Sequence, residues 1–182
     1  DSDLDGVVTG AILRRWWPDS EIIFGHPGNL RAGMMDHLIN RNTAICDLPR
    51  HPHCGLSIDH HQSNEPEEGV ISDTVVLWEQ TPSAARIAYN MLKDKIDLSD
   101  LTEMMIWVDK LDGGTITIED FMGNNSVMWL GRIIGDDKDI TLKILEKIQQ
   151  RISVEEILLI PEINEKIKAV SYTHLRAHET IN

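Results

Sequence analysis

Two short apolar runs, Thr43-Ala44-Ile45-Cys46 and Leu56-Ser57-Ile58, lead straight into acidic or imidazole side chains, Asp47 after the first and Asp59-His60-His61 after the second. Runs this short and apolar read as buried strands, and stretches of helical periodicity surround them. Strand and helix in alternation predict βαβ units, and so a parallel sheet whose strands all end on the same side. Side chains that follow such strands gather at the carboxyl edge of the sheet, where open α/β sheets bind their ligands.

The remaining chain extends this pattern. Residues 7–17 read as a helix opened by Gly6 and closed by Pro18, Glu21-Ile22-Ile23-Phe24 as a short buried strand, and residues 30–40 as a second helix. A further strand is expected around residues 74–78, and Thr81-Pro82 reads as an N-cap followed by proline at the first helical position. Beyond Ser83 the periodicity is helical over 84–93, 98–110, 127–134, 140–151 and from 154 onward. The expected fold class is α/β, a mostly parallel sheet flanked by helices and followed by a mainly helical C-terminal part.

A chain of 182 residues suits one domain with a sizeable core. It has no apolar run long enough to span a bilayer and opens with no signal-peptide pattern, so no membrane is expected. Cys46 and Cys54 are too few for a disulfide framework, which points to a reducing cytoplasm. The formal net charge of -13 excludes a broad basic surface for duplex DNA. Short oligonucleotides stay open, because bound divalent cations reverse the sign of the field locally.

Both ends of the chain invite comment. Asp1 stands inside a motif, and a strand ahead of it is expected to carry that motif. The string from Val170 to Thr180 looks like the translation of a sequencing adaptor, so residues 170–182 are expected to be a foreign tail. His174 and His178 within it are four apart, a helical metal-ligand spacing, but are not read as a site on that ground.

The chemistry lies in four clusters. In Asp1-Ser2-Asp3-Leu4-Asp5-Gly6, alternate carboxylates can share one side of an extended turn, and Gly6 permits a sharp entry into a helix. Oxygen ligands of this kind suit Mn²⁺ or Mg²⁺, whereas the spacing of a calcium EF-hand is absent. Taken alone the motif fits an acidic surface loop equally well, Asp47 fits a loop cap, and the histidines fit a surface pair. Asp109, after a helix, completes the set, and together they are what a two-metal hydrolase requires.

As a set, these residues resemble the DHH phosphoesterase superfamily, which includes RecJ-type exonucleases, nano-RNases, cyclic-dinucleotide phosphodiesterases and family II inorganic pyrophosphatases. The continuations Ser63-Asn64-Glu65-Pro66, Pro82-Ser83-Ala84-Ala85-Arg86 and Val108-Asp109-Lys110-Leu111-Asp112 are similar to a branch labelled exopolyphosphatase-related. The resemblance implies a metal-binding phosphoesterase domain over 1–130, with 131–169 a helical continuation or the start of a linker. It implies two Mn²⁺ ions, with Mg²⁺ as substitute, on Asp3, Asp5, Asp47, His60 and Asp109, with Asp47 and Asp109 bridging. Asp109 is preferred to Asp112 for the fourth motif. His61 is expected to contact the substrate phosphate and Asp59 to orient the histidines.

The activity implied is a Mn²⁺-dependent phosphohydrolase in which a water activated between two metals cleaves short oligonucleotides, dinucleotides or phosphorylated nucleosides. Phosphoanhydride hydrolysis of the exopolyphosphatase or pyrophosphatase type is the alternative, and a non-catalytic nucleotide-binding module is another. A small phosphorylated molecule or short single-stranded oligonucleotide is the expected partner. A substrate-selecting C-terminal domain is expected outside this chain, and a homodimer lies within what the resemblance allows. Cys46, His51, His53 and Cys54 are not read as zinc ligands, since the adjacent pair would strain a tetrahedral site. Trp16, Trp17, Trp78, Trp107 and Trp129 are read as core, Arg14-Arg15 as too short a nucleic-acid patch, and Arg86 and Lys110 as salt-bridging.

Overall fold

The computed structural model describes residues 1–67, 73–135 and 137–179, with side chains described through residue 171. Three parallel strands pair in the order β1 (Ala44–Cys46), β2 (Leu56–Asp59) and β3 (Val75–Trp78). Cys46 lies opposite Ile58, and Ile58 opposite Leu77. Helices flank this sheet and dominate the later part of the chain, so the α/β class is as the alternation predicts.

The first helix, α1 (Leu4–Trp16), starts earlier than expected because Asp3 caps it, its side chain accepting from the Gly6 amide at 2.9 Å. Asp5 therefore sits inside the first turn rather than in a loop. Val7, Val8, Ala11 and Ile12 are fully buried along the helix. They pack against α3 (Ala84–Leu92), where buried Ala84, Ala85 and Ala88 allow close approach, and against α7 (Lys138–Gln149). Ile58 joins the same core from β2. Each buried Val or Ile among them stabilises the fold by about 1.5–3 kcal/mol relative to its exposed state. Ile144, Leu145, Ile157 and Ile163 share that cluster, so the expected division near residue 130 does not divide the core.

Several elements differ from expectation. Glu21-Ile22-Ile23-Phe24 forms no ladder; Ile22 and Phe24 lean on the core and Ile23 is exposed. Between it and β1 lies an apolar groove of about 910 Å³, lined among others by Ile22, Phe24, Ala44, Cys46 and Leu56, and no described strand bridges it. The expected helix over 30–40 is instead α2 (Pro27–Arg31) and a 3-10 turn (Asp36–Leu38), because Gly33 turns the chain at φ 73°. Ser83 caps α3 rather than Thr81; its hydroxyl accepts from the Arg86 amide at 3.1 Å, and the Thr81 hydroxyl donates to the Ser83 carbonyl at 2.9 Å.

Downstream, α4 (Thr102–Asp112) runs two residues past its expected end, and left-handed Gly114 follows at φ 65°. The unexpected α5 (Ile118–Met122) is set by a capping box between Thr117 and Asp120. Next come α6 (Ser126–Ile133), α7, α8 (Val154–Leu158) and α9 (Pro161–Glu179), the last two separated where Pro161 starts a new helix. The 170–182 stretch begins on α9, but the side chains from residue 172, those of His174 and His178 included, and residues 180–182 lie outside the described residues.

Of the tryptophans read as core, Trp107 packs against the main cluster while partly buried, and none is fully buried. Trp16 and Trp17 are exposed and the other three half-buried, with cations over the rings of Trp16 (Lys95), Trp107 (Lys110) and Trp129 (Arg132). Tryptophan buries a wide face while its rim stays wet, which an apolar neighbourhood in the sequence does not reveal. Among the described residues no helix is long and apolar enough to cross a membrane.

Candidate metal centre

At the carboxyl edge of the sheet three overlapping ligand groups meet: Asp47 with His60 and His61, Asp5 with His60 and Asp112, and Asp1 with Asp3 and Asp47. Within each group the candidate ligand atoms all lie within 4.8 Å of one another. Asp47 and His60 each belong to two groups, as expected where two cations stand side by side.

Asp47 is delivered by β1 and turned by an unusual backbone. Its φ of 58° is left-handed, a region that carboxamides and carboxylates tolerate better than most side chains. The turn is held because its amide donates to the Ile58 carbonyl at 2.8 Å. The side chain is 1 % exposed, yet neither carboxylate oxygen has a hydrogen-bond partner. Burial pushes its pKa up to about 9, aided by the charges of Asp5 and Asp3.

Asp5 points into the start of α3, accepting from the Ala84 and Ala85 amides at 2.7 Å each. Burial raises its carboxyl to about 6 against those hydrogen bonds, which favour the ion. Gly6 is required beside it, since a Cβ there would meet the Asp1 carbonyl oxygen at 2.5 Å.

His60 Nδ1 lies 3.1 Å from the Thr81 carbonyl oxygen. Its Nε2 stands 2.8 Å from Asp112 Oδ2 and 3.7 Å from both Asp5 Oδ2 and Asp47 Oδ1. The Asp112 contact is close but out of line for a hydrogen bond, so Nε2 counts as unpartnered. Burial pulls the ring down, but its contact with Asp112 and the charges of Asp112 and Asp5 outweigh that and carry it up to about 9.

Asp59 braces the loop that follows β2. Its Oδ1 accepts from the amides of His60 and His61, at 2.9 and 3.1 Å, and lies 2.8 Å from His61 Nδ1, while Oδ2 accepts from Asn64. It thus reaches only one of the two rings, that of His61; the His60 ring is set by Thr81. His61 is half exposed beside Asp47, at 3.7 Å.

Asp109 is not brought to this cluster. It is bonded to Ser83 Oγ at 2.7 Å and to Arg86 at 2.9 and 2.5 Å, and Asp112 stands beside His60 in the place expected for it. On a helix the two residues share a face but lie about 4.5 Å apart along the axis, so one reaches α3 and the other His60. Asp112, which the sequence reading placed second to Asp109, and Asp1, which it placed in the first motif without naming it a ligand, are thus members of the ligand groups. The bond to Arg86 fits its salt-bridging reading, as does Lys110 with Asp120 at 3.1 Å. Arg15 is bound bidentately by Asp100 at 2.7 Å, which takes it away from any phosphate.

Cys46, His51, His53 and Cys54 form no ligand group among the described residues; His51 instead faces Asp36 at 3.3 Å. Loss of hydration pushes the Cys46 thiol up to about 12, which removes it as a nucleophile.

The chemistry of the donors fits divalent cations. Two carboxylates about 4 Å apart near a protein surface repel by roughly 4 kcal/mol, and this site crowds several of them, with histidines as the ion-pair partners of Asp5, Asp47 and Asp112 among the described residues. Buried carboxylate oxygens and an imidazole nitrogen that converge without bonding are arranged as ligands are.

An α/β fold with such a site at its sheet edge is the class this chain occupies. No family model matches the chain, and no curated protein sequence matches it. One solved structure that it resembles is the pGpG-specific phosphodiesterase PggH from Vibrio cholerae, with a TM-score of 0.76 and 23 % identity, covering 99 % of this chain and 59 % of that one. The chain has that phosphodiesterase's fold and spans under two thirds of its length.

Proposed function

We propose that this site hydrolyses phosphodiester bonds in dinucleotides and short single-stranded oligonucleotides, with phosphorylated nucleosides as smaller substrates, and that it is a Mn²⁺ enzyme of the DHH phosphoesterase type. The observation that carries the proposal is Asp47, a buried carboxylate with two unbonded oxygens shared between ligand groups. Two divalent cations at such a site supply a water acidic enough to attack at neutral pH and neutralise the phosphate charge. A ligand set made mostly of carboxylates suits Mn²⁺ and Mg²⁺, and the imidazole among them favours Mn²⁺ over the harder Mg²⁺.

In this reading Asp47 bridges, and Asp3, Asp5, His60 and Asp112 complete the two positions. Asp109, expected as a bridge, serves elsewhere. His61, on the open side of Asp47 and braced by Asp59, contacts the phosphate. The phosphodiesterase of like fold acts on pGpG, which makes a linear dinucleotide the first substrate to test. Free Cys46 and Cys54 suit the cytoplasm.

The test is hydrolysis of pGpG and of a generic phosphodiester reporter with added Mn²⁺. Turnover should disappear in His60→Ala and Asp47→Ala. A full-length protein that binds Mn²⁺ and cleaves no phosphoester would overturn the enzyme reading and leave a nucleotide-binding module.

A further inference from the structure

Asp109 touches none of the ligand groups, yet both its oxygens are bound. Oδ1 accepts from the Ser83 hydroxyl at 2.7 Å, and Oδ2 accepts from Arg86 Nε and Nη2 at 2.9 and 2.5 Å. Ser83 is fully buried and is the N-cap of α3, its oxygen accepting from the Arg86 amide at 3.1 Å. The first two amides of that helix, those of Ala84 and Ala85, donate to the two oxygens of Asp5 at 2.7 Å each. A continuous path of bonds therefore runs from Asp109 through Ser83 and the first turn of α3 to Asp5.

We propose that Asp109 is a positioning residue: by clamping Ser83 and Arg86 it fixes the start of α3, and through that start it sets the orientation of the Asp5 carboxylate toward a cation shared with His60 and Asp112. The proposal rests on the two-cation reading above. Oδ2 of Asp5 gives one lone pair to the Ala84 amide and keeps another for a cation, while Oδ1 accepts from the Ala85 amide and, at 3.4 Å, from the Thr9 hydroxyl, so the angle of the helix end decides where the free lone pair of Oδ2 points. Asp109 also neutralises Arg86. Without that partner, the guanidinium three residues from the cap would be free to turn toward the carboxylates and compete with a metal.

The effect should be confined to one of two cation positions, which a general loss of packing would not produce. Partners that orient metal ligands typically contribute about 10- to 100-fold in affinity. Mn²⁺ titration of the whole chain, followed by the electron paramagnetic resonance signal of free Mn²⁺, gives both affinities. Asp109→Asn, which keeps an acceptor for Ser83 but not the charge, should weaken one site by about 10-fold or more and leave the other unchanged. Ser83→Ala, which cuts the path at the cap, should weaken the same site, and Asp112→Asn should abolish it.

If either single variant fails to fold by circular dichroism, Arg86→Ala, which removes half of the clamp and leaves no free guanidinium, should show the same one-site loss, while the paired variant Asp109→Asn with Arg86→Gln, which keeps amide hydrogen bonds in place of ionic ones, should recover affinity. Loss of a whole site in Asp109→Asn, matching Asp112→Asn, would show that Asp109 is a ligand and overturn the clamp. Wild-type affinities in the folded single variants would overturn it too, while leaving the two-cation reading standing. Wild-type protein that takes up no Mn²⁺ would remove both.

Discussion

His60 Nδ1 faces the carbonyl oxygen of Thr81 at 3.1 Å, and a carbonyl can only accept, so Nδ1 carries the proton. The tautomer is thereby fixed with the lone pair of neutral His60 on Nε2, the atom that faces Asp112, Asp5 and Asp47. Two-bond proton–nitrogen correlation spectra should show Nδ1 protonated both with and without cation, and only the Nε2 shift should move on adding Mg²⁺. An Nε2-protonated neutral ring would refute the ligand geometry.

Protons and cations should compete for this site. Asp47 is raised from 3.8 to about 9 in the folded state, and His60 from 6.5 to about 9. A group with a raised folded pKa holds its proton better when folded, so stability falls as pH rises from the unfolded to the folded value. The metal-free protein should therefore lose stability between about pH 4 and 9, from Asp47 over that whole range and from His60 over 6.5–9. Cations that replace those protons should stabilise more at high pH. At a Mn²⁺ concentration 100 times the dissociation constant the gain is about 2.7 kcal/mol, or roughly 5–10 °C in Tm for a chain of this size. Melting curves at pH 5.5 and 8, with Mn²⁺ or EDTA, measure it; equal shifts at both pH values would count against the competition.

Asp112→Ala should lower phosphodiester turnover by at least about 100-fold, since a ligand matters no less than the groups that orient one. Asp94→Ala, on an exposed surface, serves as the control and should retain wild-type rates. Assays under saturating Mn²⁺ check this, and a wild-type rate in Asp112→Ala would remove Asp112 from the centre.

Asp47 should cost the fold what it gives to the site. Its left-handed backbone suits glycine, and its buried charge is opposed by Asp5 and Asp3. Asp47→Gly should raise the stability of the metal-free protein by about 1 kcal/mol and abolish hydrolysis. Urea denaturation in EDTA measures the first part; a destabilised variant would show that the turn is unstrained.

The strands that carry the centre were legible because each is an apolar run followed at once by ligands, a pattern that needs no knowledge of the fold. The choice between Asp109 and Asp112 was not legible, although both were candidates: they share a helix face, and only the position of α3 decides which carboxylate is taken up by Arg86. Glu21-Ile22-Ile23-Phe24 has the composition of a strand, but pairing is a property of neighbours, and no described strand lies beside it. Gly33 ended a helix that apolar spacing alone would have continued, since one residue with φ 73° outweighs several with good periodicity.

The register of β1 against β2 also acts as a ruler. Cys46 pairs with Ile58, so Asp47 and Asp59 leave adjacent strands at the same level, and the Asp47 amide hooks onto Ile58 to keep them there. Parallel neighbours are spaced about 4.8 Å apart by their backbone hydrogen bonds, so the separation between Asp47 and the start of the Asp59-His60-His61 loop is set by the peptide backbone. Any two adjacent parallel strands that end level, one in an aspartate and the next in an aspartate and two histidines, would bring those side chains equally close in an otherwise unrelated sequence.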